Sequence, residues 1–266
     1  MGRSRRTLLR SALLLAGGGA VGAAATRLPG LLGPDRLPIA GGYAPANDHI
    51  DAVHHPSTVV TYYVQTTEPV VAFTFDDGPG PQWTSMVLDV LDAYQVPATF
   101  FVVGRNLQDH ADLVRGRLDR HEVGNHSWSH ADLARLDLAG VRQEMSRTHD
   151  VIERVARRHA NLLRPPWGHL GGSTLLAADS LGYDLVLWSH QMHEQMYRDN
   201  PTGQVRDIVG RVTPGAIVLA HDVGSPERLV ALRQLGAMFS GLRARGYRFV
   251  TVSELMAIGK PAPAPV

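Results

Sequence analysis

Short apolar runs alternate with helical patterns over most of the chain. VVAFTF (70–75), ATFFVV (98–103), DLVLW (184–188) and AIVLA (216–220) are apolar at nearly every position. A strand buried on both faces has this pattern. EVGNH (122–126), LLRPP (162–166) and YRFVTV (247–252) are further strand candidates. Between them the pattern predicts helices over about 83–94, 107–119, 138–159, 173–181, 202–211 and 226–244. Seven strands alternating with helices form βαβ units and a parallel sheet. The expected fold class is α/β, a distorted (β/α) barrel with seven or so parallel strands. An open doubly wound sheet is the competing arrangement.

The two ends depart from this pattern. The chain starts MGRSRRTLLRSALLLAGGGAVGAAATRLPG: a basic start, an apolar Ala/Gly-rich stretch and a small-residue site. Residues 1–25 therefore have the layout of an export signal, and SRRTLL resembles a twin-arginine signal. An uncleaved anchor is the alternative, but Ser11–Ala25 falls short of the ~20 apolar residues that span a bilayer easily. Residues 26–68 hold several Pro and Gly and predict a spacer with an irregular lead-in. Residues 69–255 are the expected catalytic domain, and 256–266 a disordered Pro/Ala tail.

Composition adds exclusions. The 266 residues, 44% of them hydrophobic, suit one soluble domain with a sizeable core. The net charge of +1 offers no basic face for nucleic acid. Cleavage near Ala25 would remove Arg3, Arg5, Arg6 and Arg10 and no acid, turning the remaining charge negative. There is no cysteine, which excludes disulfides, thiolate metal sites and a lipoprotein anchor. Any metal must be held by His, Asp or Glu.

Chemistry-bearing residues gather at the ends of strands. Asp76 and Asp77 follow the first, His126 and His130 the third, Arg164 the fourth, His221 and Asp222 the sixth. In a parallel barrel these ends open onto one face, where active sites lie. Adjacent carboxylates repel unless something positive sits beside them. His126 and His130 are four apart, a spacing that puts both on one side of a helical turn. Two imidazoles and a carboxylate form a common catalytic metal set with a position open for water. Either aspartate could complete it.

FTFDDGP, GNHSWSH, RPPWG and VLAH, in this order and spacing, resemble the NodB-homology polysaccharide deacetylases, carbohydrate esterase family 4. PATFFVVG and GYRFVTVSEL fit as well, and the resemblance spans roughly residues 69–255. It implies Asp76 as catalytic base, Asp77, His126 and His130 as metal ligands, and Arg164 as the partner that orients Asp76. It implies His221 as general acid, Leu219 as lining of an acetyl pocket, and Pro166 and Trp167 as groove wall. The implied cofactor is one divalent metal, zinc in the first instance, with cobalt or nickel as alternatives. The implied activity removes N-acetyl groups from an N-acetylhexosamine polymer such as peptidoglycan or chitin. The expected partner is a cell-wall or other acetylated polysaccharide, with no nucleic acid and no stable membrane insertion. The expected protein is a monomer, exported and extracellular or wall-associated in a bacterium.

One motif departs. Family members carry an Asp-Trp element, roughly WSxDxxDW, after the fifth strand. LWSHQMHEQMY has Gln191 for the first acid and Glu194-Gln195 for Asp-Trp. Glu194 or Asp222 could substitute in setting the protonation of His221. Two rivals follow: an O-acetyl esterase on xylan, whose easier leaving group asks less of His221, and a silent wall-binding homologue.

Overall fold

Every residue from Val70 to Asp76 is buried, as a central strand covered on both faces requires. In the computed structural model, which describes residues 57–259, this run is one of nine strands. They are β1 (Val60–Thr61), β2 (Val70–Asp76), β3 (Thr99–Val102), β4 (Glu122–Asn125), β5 (Leu162–Leu163), β6 (Asp184–Val186), β7 (His190–Gln191), β8 (Ala216–His221) and β9 (Arg248–Phe249). All pair in parallel, in the order β1-β6-β5-β4-β3-β2-β8-β7, with β9 on the first two residues of β2. After β1, Tyr63 bridges to Ala216 and the Val64 amide donates to the Gly215 carbonyl. The sheet thereby curls toward closure, as the expected distorted barrel does.

Side chains alternate between two faces along each strand. The outer set includes Val71, Phe73, Phe75, Phe100, Val102 and Val218, packed under the helices. Phe73 meets the edge of Phe239 at 5.1 Å between ring centres. The inner set includes Val70, Ala72, Phe101, Leu162, Val186 and Ile217. Two residues further along the same inner rows stand Thr74 and Asp76, Arg164, Trp188, Leu219 and His221. The lumen is thus apolar at its base and turns polar at the strand ends. That gradient positions the site.

The helices are α1 (Thr84–Ala93), α2 (Gly104–Asp109), α3 (Ala111–Val114), α4 (Leu138–Ala156), α5 (Gly172–Ser180), α6 (Pro201–Arg211), α7 (Pro226–Leu232), α8 (Leu235–Ala244) and α9 (Val252–Ile258). Asp137 caps α4 by accepting from the Gly140 amide at 2.8 Å. Buried Val141, Met145, Thr148, Val151 and Ile152 mark its inner face. It ends at Ala156 rather than residue 159, because Arg157 adopts a left-handed conformation at φ 54°. The expected helices over 107–119 and 226–244 are each two shorter ones.

The last predicted strand shrinks to two residues for a specific reason. Thr251 and Glu254 form a capping box, so the chain turns into α9 instead of continuing extended. Val252 and Leu255 of α9 join the inner set. The folded region also exceeds residues 69–255: β1 and Val64 precede it, and α9 runs to Ile258. The export signal, the spacer up to residue 56 and the tail from 260 lie outside the described residues. Among the described residues, no helix is long and apolar enough to cross a membrane.

Thr251→Ala removes one side of the capping box and is expected to cost about 1 kcal/mol. Urea denaturation checks this, and an unchanged midpoint would contradict it.

Candidate active site

β2 ends in Asp76, and Asp77 follows at φ 76°. The two carboxyls diverge there. Asp76 stays in the lumen, where Oδ1 accepts from Nη1 of Arg164 at 2.7 Å. Arg164 is fully buried. The same Nη1 donates to Thr74 Oγ1 at 2.7 Å, Nε to the Val186 carbonyl at 3.1 Å, and Nη2 to the Leu187 carbonyl at 2.9 Å. Its guanidinium lies 4.1 Å from the centre of the Phe101 ring. Burial works against its charge and lowers its pKa, and Asp76 offsets that only in part.

Asp77 instead faces two histidines. Its Oδ1 is 3.4 Å from His126 Nε2 and 3.1 Å from His130 Nε2. The presumed helical turn between these histidines is absent. They sit on a loop with Ser127 and His130 at positive φ, so the loop and not an i,i+4 helix face brings them together. Glu144 of α4 holds this loop, accepting from the amides of Trp128 and Ser129 at 2.9 and 2.8 Å. Asn125 Oδ1 accepts from the Ser127 amide at 2.9 Å.

The donor set fits a divalent cation. One carboxylate oxygen and two imidazole nitrogens all lie within 4.8 Å of one another. His126 Nδ1 lies 2.6 Å from the Arg164 carbonyl, to which it donates. Burial disfavours charge on His126, but Asp76 and Asp77 outweigh it and raise its pKa, so an Nε2 proton faces Asp77, and Asp76 Oδ2 at 3.9 Å, where a cation would otherwise sit. That arrangement calls for a positive charge between them. Burial of Asp77 disfavours its ionisation, yet hydrogen bonds from His126 and His130, with the charges of His126 and His221, hold its carboxyl far below the usual range.

Three neighbours were not found by sequence reasoning. Arg228 of α7 donates from Nη1 to Asp77 Oδ2 at 2.9 Å and to the Val223 carbonyl at 2.8 Å. Gly224 makes room for it, since a Cβ there would lie 2.5 Å from that nitrogen. Asn106 donates to the Asp77 carbonyl at 2.8 Å. Glu144 is the third. Each is remote in sequence from what it holds, so no local pattern marks it.

On the other side of the site, His221 Nδ1 lies 3.2 Å from Glu194 Oε1. Burial raises the Glu194 carboxyl, but its bond to His221 and that residue's charge win and lower it. Glu194 is thus the residue that reaches His221. Asp222 does not: its Oδ2 accepts from Thr84 Oγ1 at 2.5 Å, and it is buried. Gly78 packs on this carboxyl, where a Cβ would come within 2.3 Å of both oxygens. Burial, with the nearby charges of Asp77 and Asp76, pushes Asp222 up to about 7 against the Thr84 bond.

The groove residues spread out. Trp167 stands 57% exposed at φ 57°, its ring edge-on to His130 at 4.4 Å. Pro166 is buried beneath it, and Leu219 lies on the inner face two residues before His221. A cleft of about 640 Å³ opens beside His221 and Glu194, with Met196 and Arg228 on its walls. His190 is held elsewhere, with Nε2 2.9 Å from the Arg211 carbonyl.

Arg228→Ala is expected to weaken metal binding about 10- to 100-fold, the usual effect of losing an outer partner. A chelator-competition titration measures it. Asp222 gives a pH signature. Its pKa is raised on folding, so the folded state holds the proton more tightly and loses that advantage as pH rises from about 4 to about 7. Asp222→Asn should therefore gain stability relative to the parent across this window. Denaturation midpoints at several pH values check the sign.

Residues 63–186 match the family model described as polysaccharide deacetylase. The chain is 35% identical over 203 residues to the peptidoglycan-N-acetylglucosamine deacetylase of Bacillus cereus, covering 76% of this chain and 94% of that one. It is 33% identical over 198 residues to the peptidoglycan-N-acetylmuramic acid deacetylase PdaC of Bacillus subtilis, covering 74% of this chain but only 41% of that longer protein. Among solved structures, a peptidoglycan N-acetylglucosamine deacetylase in complex with 4-naphthalen-1-yl-N-oxidanyl-benzamide aligns with a TM-score of 0.71 at 26% identity, covering 76% of this chain and 95% of that one. Fold, site geometry and these likenesses agree, and the chain belongs to the polysaccharide deacetylase family of carbon–nitrogen hydrolases.

Proposed function

We propose that the protein is an exported, metal-dependent deacetylase acting on the N-acetyl groups of a wall polysaccharide such as peptidoglycan. One observation carries the reading: Asp76, the Asp77–His126–His130 set and the His221–Glu194 pair converge at the strand ends. The N-terminal pattern supports export, and the relatives' printed activities support the substrate class.

Asp77, His126 and His130 would hold the cation, zinc being the first choice for such ligands. When bound, it polarises the acyl oxygen and lowers the pKa of a water molecule. Asp76, fixed by Arg164, takes the proton from the attacking water. His221, held through Nδ1 by Glu194, gives a proton to the leaving nitrogen. The carbon–nitrogen bond breaks, and acetate and a free amine leave. An amide needs that proton, because its nitrogen leaves poorly as an anion. The ester alternative rests on a weakly tuned His221, and the Glu194 carboxylate at 3.2 Å supports the amide reading instead.

Acetate release from peptidoglycan, chitin oligomers and acetylated xylan, with and without added zinc, tests the reading. Zinc-dependent release from an N-acetylated polymer is expected. Asp77→Ala and His126→Ala should lose metal and activity together, and Glu194→Gln should slow amide more than ester hydrolysis. Full activity after metal stripping would refute the reading. Wall binding with no release at any metal concentration would favour the silent homologue.

A further inference from the structure

The geometry of the Asp77 set recurs elsewhere in the molecule. His149 and Glu153 are four apart on α4, and His159 lies in the segment that leads into β5. His149 Nε2 is 3.3 Å and His159 Nδ1 is 3.2 Å from the same oxygen, Oε1 of Glu153. In the first set the corresponding distances to Asp77 Oδ1 are 3.4 and 3.1 Å. The imidazole rings are 4.6 Å apart here and 5.1 Å apart there. The three donor atoms again lie within 4.8 Å of one another.

The outer partner recurs too. His126 is anchored through Nδ1 at 2.6 Å to a carbonyl, and His149 through Nδ1 at 2.6 Å to the Tyr183 hydroxyl. For Nε2 to face an ion, Nδ1–H of His149 donates to the Tyr183 oxygen, a phenol that burial pushes up to about 12 and so keeps uncharged. In each set one nitrogen of the first histidine is pinned and the other is aimed at a carboxylate shared with a second imidazole. Second partners of this kind orient metal-bound histidines. Arg158, next to His159, is turned away, its guanidinium donating to the His121 and Asp119 carbonyls.

We propose that His149, Glu153 and His159 form a second divalent-metal site, of zinc-type chemistry, separate from the catalytic one. Its ligands stand where α4 gives way to β5, at the entry of the strands, while the catalytic residues stand at strand exits. An ion there ties the end of α4 to the β5 lead-in. The role is structural. With Glu153 53% and His159 67% exposed, this ion binds more weakly than one held by Asp77, His126 and His130. Three protein ligands leave a position for water or an outside donor.

The test is zinc stoichiometry on the full chain. Glu153→Gln/His159→Ala is expected to bind one zinc fewer than wild type, with acetate release retained. Asp77→Ala is expected to bind one fewer with acetate release lost, and the combined variant two fewer. Zinc should raise the thermal midpoint of Asp77→Ala but not of Asp77→Ala/Glu153→Gln. The zinc counts and thermal midpoints do not need activity, so a failure of the catalytic reading would show separately in acetate release. An unchanged zinc count in Glu153→Gln/His159→Ala, or equal zinc stabilisation of both Asp77→Ala proteins, would overturn the proposal.

Discussion

The Arg164–Asp76 ion pair is the constraint around which the site is built. A guanidinium with no exposed surface is costly to desolvate, and it is tolerable only when its donors are used. Here they reach a carboxylate, a hydroxyl and two carbonyls, spread over β2 and the end of β6. The same residue's backbone carbonyl receives His126 Nδ1. One position therefore fixes the carboxylate proposed as base through its side chain and an imidazole through its main chain. The two are locked to each other before any ligand arrives, which is what preorganisation requires.

A second constraint follows from charge. Asp76, Asp77 and Asp222 crowd around the tight turn at Gly78. Each has a different answer to their repulsion. Asp76 has Arg164, and Asp77 has two imidazoles and Arg228. Asp222 has the Thr84 hydroxyl and a backbone bond, which do not outweigh its burial, so its proton is the remaining remedy and its raised pKa follows. The doubled acid of FTFDDGP is thus a sharing of cationic partners, with a third acid kept protonatable behind it.

Much of this was legible in the chain itself. Largely apolar strands of four to seven residues announce themselves by burial on both faces, and β2, β3 and β8 lay where expected. The order of DD, the two histidines, Arg164 and His221 at strand ends marked the site. What escaped has physical reasons. β1 and β7 are two residues long, too short for any period. Thr251 and Glu254 do carry a capping-box signal, which the aromatic run before them masked. Arg228 meets Asp77 across 151 residues, a contact that exists only once β2 and β8 pair. His126 and His130 have helical spacing but a loop backbone, because residues 127 to 129 bond to Asn125, Glu144 and the turn into α2 rather than to one another.

The division between lumen and rim explains how the departing motif is absorbed. Asp76, Arg164 and His126 are held from inside the barrel by strand positions, so they do not depend on the loop after β7. That loop supplies Glu194 to His221 through a turn with His193 at φ 46°. Glutamate reaches one methylene further than aspartate, and a shifted turn can still deliver its oxygen to Nδ1. No tryptophan follows, and Gln195 and Met196 stand exposed at the cleft in its place. This side of the cleft is therefore lined by an amide and a thioether rather than by an aromatic ring. The departing motif therefore changes the rim beside His221 and leaves the lumen contacts of Asp76 and Arg164 intact.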